Sequence, residues 1–195
     1  MELNLFTDPD YSEQTFDTVL GKNAVIEDRI FENCTFTKCN FTAAEFRRCK
    51  LLDCTFDACD LSNFQIRGST LRDLTFRNCK LVGVNWTNAT AVSHLNFDKC
   101  LLDYGNFVAL DLRKSAIQAC LAKEADFAET NLSEANCRGT DFAGARFGNT
   151  NLTKADFRQA LNYSIRPDEN KIKKAKFSLP EATLLLYGLD IILEE

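Results

Sequence analysis

A period of five residues is the feature that most constrains how this chain can fold. From Ile26 to Trp86 a large apolar residue occupies every fifth position, and two residues before most of them lies a small residue, often cysteine or alanine. This period matches neither the 3.6-residue repeat of an α-helix nor the two-residue alternation of a β-strand. It predicts an all-β solenoid with residues 24–160 as its repeat array. The large residues between Ile26 and Trp86 are Phe31, Phe36, Phe41, Phe46, Leu51, Phe56, Leu61, Ile66, Leu71, Phe76 and Leu81.

The array has a single interruption, one extra residue between Trp86 and Phe97, after which the period continues to Phe157. If four pentads close one turn, residues twenty positions apart stack. The chain repeats phenylalanine at that spacing in two sets, Phe36, Phe56 and Phe76, and Phe107, Phe127 and Phe147. An interior of constant cross-section favours the same side-chain volume at each level, so these sets predict stacked columns.

The nine cysteines follow the same period. Eight lie on small-residue positions, and Cys137 takes a large-residue position. Free cysteine packs as a small buried hydrophobe, which explains this placement without redox chemistry. Four-residue gaps and a single histidine do not suit zinc, and disulfides are not expected in a reducing compartment. No metal or cofactor is therefore predicted.

Both ends of the array depart from the pattern. Phe6, Tyr11 and Phe16 keep the phase, but Pro9 and Gly21 lie among them, so residues 1–23 are predicted to form an irregular N-terminal cap. Residues 161–195 are predicted to form a loop, a short helix and a strand. Ser178 and Glu181 have the spacing of a capping box for a helix that ends near Gly188, and a strand is expected over Leu189–Leu193.

Charge and hydropathy favour a soluble cytoplasmic protein. The net charge is −5, no stretch is long and apolar enough for a membrane span, and the N-terminus has no secretory pattern. Direct nucleic-acid binding is not expected from an acidic chain. The basic run Lys171, Lys173, Lys174 and Lys176 is interpreted as a soluble linker, with contact to nucleic acid or another anionic surface as the alternative.

The repeated motif resembles that of the pentapeptide-repeat family. It consists of Ala, Cys, Ser or Thr, then often Asn or Asp, then Leu or Phe, and then two variable residues, as in Ala125-Asp126-Phe127-Ala128-Glu129 and Thr130-Asn131-Leu132-Ser133-Glu134. This resemblance implies a right-handed quadrilateral β-helix.

The ending Phe177–Ile191 is similar to the C-terminal tail of the Qnr-type branch of that family and of related self-immunity proteins. The resemblance implies a homodimer and binding to a type II DNA topoisomerase, DNA gyrase or topoisomerase IV. It also implies protection of that enzyme from quinolones or toxins by DNA mimicry. The expected dimer interface comprises Leu179, Ala182, Leu185, Leu186, Leu189, Ile191, Ile192 and Leu193.

The surface charge supports only partial DNA mimicry. B-DNA carries one negative charge per about 1.7 Å of axis. By contrast, the outward positions of residues 30–160 are nearly neutral on all four faces, and the net acidity lies mainly in residues 1–29. One face combines acids with exposed-position leucines, a signature of interaction surfaces. Its predicted partner-binding residues are Asp60, Val82, Leu101, Asp103, Tyr104, Leu121, Glu124 and Asp141.

Two other function classes are weighed against topoisomerase binding. The rod could be a structural scaffold or interaction module for an unrelated cytoplasmic partner, with Leu101 and Leu121 at the docking surface. An enzyme is not expected, because His94 lies beside Ser93 at the interruption of the period, where a turn or bulge residue is the simpler interpretation.

Overall fold

The computed structural model is a parallel β-solenoid whose coils each have four sides, and it describes residues 6–187, 189 and 191. Each side carries one pentad, so the chain returns to the same side after twenty residues. The predicted all-β solenoid is thereby confirmed. We number the sides by their central buried residues: Phe31, Leu51 and Leu71 on side 1; Phe36, Phe56 and Phe76 on side 2; Phe41, Leu61 and Leu81 on side 3; Phe46, Ile66 and Trp86 on side 4.

Short strands and isolated parallel bridges hold the coils together. Near the C-terminus a 3₁₀ turn, Glu181–Thr183, leads directly into the helix α1, Leu184–Tyr187. None of the helical segments in the described residues could span a membrane. The strands are β1 (Asp10–Ser12), β2 (Thr15–Asp17), β3 (Val25–Glu27), β4 (Ile30–Glu32), β5 (Thr35–Thr37), β6 (Glu45–Arg47), β7 (Lys50–Leu52), β8 (Thr55–Asp57), β9 (Thr70–Arg77), β10 (Ala91–Asp98) and β11 (Ala116–Gln118).

The strand register follows the predicted interruption. Phe36 pairs with Phe56, twenty residues later, whereas Phe76 of β9 pairs with Phe97 of β10, twenty-one residues later. A 3₁₀ turn at Trp86–Asn88 lies where the extra residue is absorbed. Because β9 runs through sides 1 and 2, it joins the strands of both sides into one nine-stranded sheet, while β3 and β6 pair separately on side 4.

Aromatic rings fill the core in stacked columns, as predicted. Ring centroids lie 4.6 Å apart for Phe36 and Phe56 and 5.1 Å apart for Phe56 and Phe76. The second column is also stacked and includes Phe107 and Phe127 at 4.7 Å. The backbone ladder sets this spacing, since hydrogen-bonded strands lie about 4.8 Å apart.

All nine cysteines are buried and unpaired by disulfides. Cysteine sulfurs take part in hydrogen bonds between adjacent coils. For example, the backbone N–H of Cys39 donates to Sγ of Cys59 at 3.3 Å. Burial raises the pKa of Cys49 to about 11 and that of Cys54 to about 12. Cys49 and Cys54 are therefore packing groups that stay protonated at neutral pH.

Left-handed backbone forms most of the corners. Nearly every fifth residue has a positive φ, including non-glycine residues such as Ala43, Arg48 and Tyr104. This conformation is unfavourable for L-residues. Its cost is offset by hydrogen bonds between coils, for example from the Tyr104 N–H to the Lys123 carbonyl at 2.9 Å. The sequence pattern did not predict these corners, because alanine and charged residues occupy many of them.

The N-terminal end is more regular than predicted. Strands β1 and β2 pair with β4 and β5 in the ordinary register, so the coil begins at Asp10 and the irregular cap predicted for residues 1–23 is wrong from there on. Neither Pro9 nor Gly21 breaks the coil. Phe6 closes the core, with its ring 5.0 Å from that of Phe31. Residues 1–5 lie outside the described chain.

The array also extends beyond the predicted limit at Ala160. Lys171 pairs with Asn151 and Lys176 pairs with Asp156, so the lysine run forms a solenoid coil and its interpretation as a linker is wrong. The physical reason is the apolar phase: Ile172 and Phe177 return to five-residue positions, and the Phe177 ring stacks on Phe157 at 5.6 Å.

The short terminal helix lies where it was expected, but its predicted capping box does not form. The Ser178 hydroxyl accepts a hydrogen bond from the Gln159 N–H at 2.8 Å instead of capping the helix. Leu184 and Leu185 pack against the solenoid core. The predicted strand over Leu189–Leu193 lies mostly outside the described residues.

Candidate protein-interaction surface

The predicted partner-binding residues lie together on side 3. Consecutive parallel bridges join Lys80 to Leu101, Leu101 to Leu121, and Leu121 to Asp141. Asp60 bridges Lys80 on the same ladder, and Val82, Asp103, Tyr104 and Glu124 lie two or three residues further along the same coils. We call this surface the side-3 patch: Asp60, Val82, Leu101, Asp103, Tyr104, Leu121, Glu124 and Asp141.

Apolar side chains form the centre of the side-3 patch. Leu101 and Leu121 occupy adjacent rungs of one ladder, and Leu121 is 38% exposed. Tyr104 is 67% exposed and projects from a corner with a φ of 60°. Val82 is half-buried. An exposed tyrosine beside two leucines combines the residue types that anchor many protein interfaces.

The four acids of the side-3 patch divide into two pairs by their neighbours. Asp60 lies 3.9 Å from the Lys80 ammonium, and Asp141 lies 3.7 Å from that of Lys123. Asp103 and Glu124 have no basic group within 4 Å among the described residues. The free negative charge therefore lies beside Leu101, Leu121 and Tyr104, not at the ends of the patch.

Asp60 is held in its charged form. Burial opposes ionisation, but hydrogen bonds from the backbone N–H and hydroxyl of Ser62, together with Lys80, leave the pKa of Asp60 below its ordinary value. The Ser62 hydroxyl lies 2.8 Å from the carboxylate. Asp60 therefore stabilises its own turn, whereas Asp103 accepts the backbone N–H of Lys123 in the next coil at 2.9 Å.

Glu124 owes its position to a glycine in the next coil. Its carboxylate lies over Gly144, where a Cβ atom would collide with it. Gly144 has a φ of +70°, at the corner one coil below Glu124. Because glycine has no side chain, residue 144 leaves room for the Glu124 carboxylate at the edge of the side-3 patch.

Two exposed leucines extend the same ladder beyond the predicted residues. Leu161 pairs with Asp141 and is 42% exposed, and Leu20 lies at the other end with 73% exposure. The signal was present in the sequence, because both keep the twenty-residue spacing once the extra residue is counted. Leu161 lies one residue past Ala160, the predicted end of the array, and therefore falls outside the predicted patch.

The predicted dimer residues fall into three groups. Leu179, Leu189 and Ile191 are exposed, Leu179 by 79%. Ala182, Leu185 and Leu186 are half-buried, and Leu185 packs on the core of its own chain. Ile192 and Leu193 lie outside the described residues. The exposed apolar surface of the tail is thus carried by the first group.

His94 occupies a corner, as predicted for a turn residue. Its φ is 51° and its Nδ1 lies 3.2 Å from the Asp73 carboxylate. Val92, Ser93, Asp111 and Arg113 line a shallow depression beside it. Within the described residues no hydrogen bond joins Ser93 to His94, and no three His, Cys, Asp or Glu side chains form a metal-binding group.

Comparison with solved structures finds similar chains at low identity. One is QnrB1, described as a plasmid-mediated fluoroquinolone resistance protein, in a trypsin-treated variant: 20% identity, 95% of this chain and 90% of that chain covered, and a TM-score of 0.41. Another is HetL, described as a pentapeptide-repeat protein involved in heterocyst differentiation regulation, from the cyanobacterium Nostoc sp. strain PCC 7120. It has 15% identity, the match covers 86% of each chain, and the TM-score is 0.37.

Family models give the assignment. No curated protein matches the chain significantly in sequence. A model described as pentapeptide repeat region matches residues 29–107, and one described as pentapeptide repeats, in eight copies, matches residues 123–159. These matches together cover more than half of the sequence and coincide with the coils of the solenoid. The chain belongs to the pentapeptide-repeat family.

Proposed function

We propose that this protein is a non-catalytic binding protein that docks on a type II DNA topoisomerase, DNA gyrase or topoisomerase IV, and protects it from quinolones or toxins. The observation that carries the proposal is the side-3 patch, where Leu121 and Tyr104 are exposed beside the unpaired acids Asp103 and Glu124. The tail resemblance to the Qnr-type branch directs the choice of partner.

The mimicry in this proposal is local. A surface that binds DNA presents cations, and Asp103 and Glu124 meet such cations as phosphates would. Leu101, Leu121 and Tyr104 then supply the apolar contact that a phosphate backbone lacks. An interface of this kind combines electrostatic steering with a desolvated centre.

A homodimer completes the proposed form of the protein. Leu179, Leu189 and Ile191 expose apolar surface at the tip of the rod, and a second copy covers all three by a two-fold contact. Leu185 already packs on its own rod, so it contributes to the tip's shape rather than to the contact itself.

The test is a supercoiling and drug-cleavage assay with purified gyrase and topoisomerase IV. Wild-type protein at micromolar concentration should inhibit supercoiling or raise the quinolone concentration that poisons the enzyme. Leu121→Asp should weaken that effect at least tenfold. Val25→Asp is the matched control, because Val25 is 42% exposed on side 4, away from the patch, and undergoes the same apolar-to-acid change. No effect of the wild-type protein on either enzyme would refute the proposed function.

A second candidate is a scaffold for an unrelated cytoplasmic partner, which the apolar centre of the patch also favours. Affinity capture from bacterial lysate separates the two. A partner other than a topoisomerase, retained by wild type and Val25→Asp but lost in Leu121→Asp, would support the scaffold. If topoisomerase activity responds equally to wild type and Leu121→Asp, the patch is not the binding surface.

A further inference from the structure

The lysine run forms the final coil of the solenoid. Lys171, Lys173 and Lys174 lie on side 1, and Lys176 follows on side 2; all four are exposed. Ile172 and Phe177 between them are half-buried, so the backbone carrying the lysines is anchored on the core. We call these four residues the lysine coil.

The lysine coil has no carboxylate partners within the part of the chain that the structure describes. Asp156, one coil above Lys176, is paired with Arg158 instead, and the other ion pairs at this end of the rod join Lys154 to Glu134, and Arg166 to Asp168 and Glu169. Elsewhere on the rod, basic residues commonly face acids one coil away, as Arg48 faces Asp28 at 2.8 Å. The lysine coil is therefore a local surplus of positive charge in an acidic protein.

The positively charged lysine coil lies far from residues 1–29, which carry most of the net negative charge of the protein. Asp10 and Lys171 lie on the same side but eight coils apart, which is about 38 Å at the spacing of hydrogen-bonded strands. Screening at physiological ionic strength limits electrostatic interactions to about 8 Å. The net charge of −5 therefore does not prevent an anion from approaching the lysine coil.

From this arrangement we propose that the lysine coil binds the phosphate backbone of nucleic acid without sequence preference. Four ammonium groups on one anchored coil can each neutralise a phosphate and release its counterion. Thr153 lies one coil above Lys173 and provides a hydroxyl of the kind that positions phosphates. Exposed acids of a second copy, such as Asp10 and Glu13 near its N-terminal end, are the competing anionic groups, but surface ion pairs of this kind contribute little each.

Fluorescence anisotropy with a labelled random-sequence DNA duplex tests the proposal. Wild-type protein should bind with a Kd of about 10⁻⁴ to 10⁻⁶ M, and the slope of log K against log salt should lie near −3 to −4, as expected for about four phosphate contacts. The combined variant K171E/K173E/K174E/K176E should bind at least tenfold more weakly.

The matched control is K22E/K38E/K50E/K99E, which makes the same change in net charge at four other exposed lysines. It should keep most of the affinity and the slope. Equal losses in both variants, or no binding by wild type at 50 mM salt, would overturn the proposal, as would binding to vesicles of anionic lipid with none to DNA. If the combined variant does not fold, Lys173→Gln serves instead, and a salt slope that fails to fall by about one refutes the assignment.

Discussion

The prediction that the structure constrains most closely concerns Phe127, whose ring lies in the middle of the second aromatic column. It is fully buried, stacks on Phe107 at 4.7 Å and on Phe147 at 5.5 Å, and meets Phe142 edge-on at 5.8 Å. Replacing it with alanine removes three aromatic contacts at once. We expect the free energy of unfolding to fall by about 4 to 5 kcal/mol, the upper part of the range for Phe→Ala in cores.

The upper part of that range follows from the rigidity of the coil. A core relaxes around a deleted side chain by moving its walls, and the cost depends on how far they can move. Here the walls are backbone held on both sides, since Asp126 N–H donates to the Gly105 carbonyl and Phe127 N–H to that of Arg146, both at 2.9 Å. The cavity left by the ring therefore stays largely open.

Equilibrium urea unfolding followed by far-UV circular dichroism measures this change. Glu129→Ala is the control, because Glu129 is an exposed corner and alanine already occupies equivalent corners at Ala43 and Ala58. It should change the free energy of unfolding by less than about 0.5 kcal/mol. A loss below about 1 kcal/mol for Phe127→Ala would show that the column is not a packed core.

Three further predictions address the patch, the thiols and the tail. Gly144→Ala and Gly139→Ala should each destabilise the protein by about 1 kcal/mol in thermal unfolding, because both corners have a positive φ and the Glu124 carboxylate that the new Cβ at residue 144 meets is the movable end of an exposed side chain; a much larger loss at residue 144 would contradict this. Folding raises the pKa of Cys49 and Cys54 above their ordinary value of 9.0, so the stability due to these thiols is full below pH 9 and should be lost as pH rises toward 11 to 12. Urea unfolding across that range, compared with Cys49→Ala, checks the slope, and identical pH profiles would refute the contribution of Cys49. Leu189→Asp should convert a dimer into a monomer in light scattering, whereas an unchanged mass, as expected for the control Leu20→Asp, would exclude Leu189 from the interface.

The sequence predicted the interior better than the ends. Phe56 and Phe127 obey the five-residue period because an enclosed column of fixed width admits little variation in volume. At the C-terminus the same period is obscured by Asn162 and Pro167, and the core there is filled instead by Tyr163 and Ile165. A simple count of apolar positions therefore ends too early, although the backbone ladder continues.

The side-3 patch was predictable in position but not in charge. Twenty-residue spacing placed Leu101 beside Leu121, and the ladder confirms that adjacency. The sequence could not show which acids are neutralised, because the Lys123 ammonium pairs with Asp141 across the coils, whereas Asp103 receives only the Lys123 backbone N–H. Side-chain direction at a left-handed corner, as at Tyr104, is likewise a property of backbone geometry that the period does not contain.

These features together mean that the binding properties of the rod are set locally. With coils about 4.8 Å apart and screening over about 8 Å, an exposed charge interacts with its own coil and its nearest neighbours. Glu124 and Lys173 thus belong to independent surfaces, although they share one rigid solenoid. Reversing the charge of Glu124 should alter binding through the side-3 patch and leave the lysine coil unaffected, and the reverse holds for Lys173. A rod of nearly neutral sides can therefore present an acidic apolar surface and a basic end at the same time.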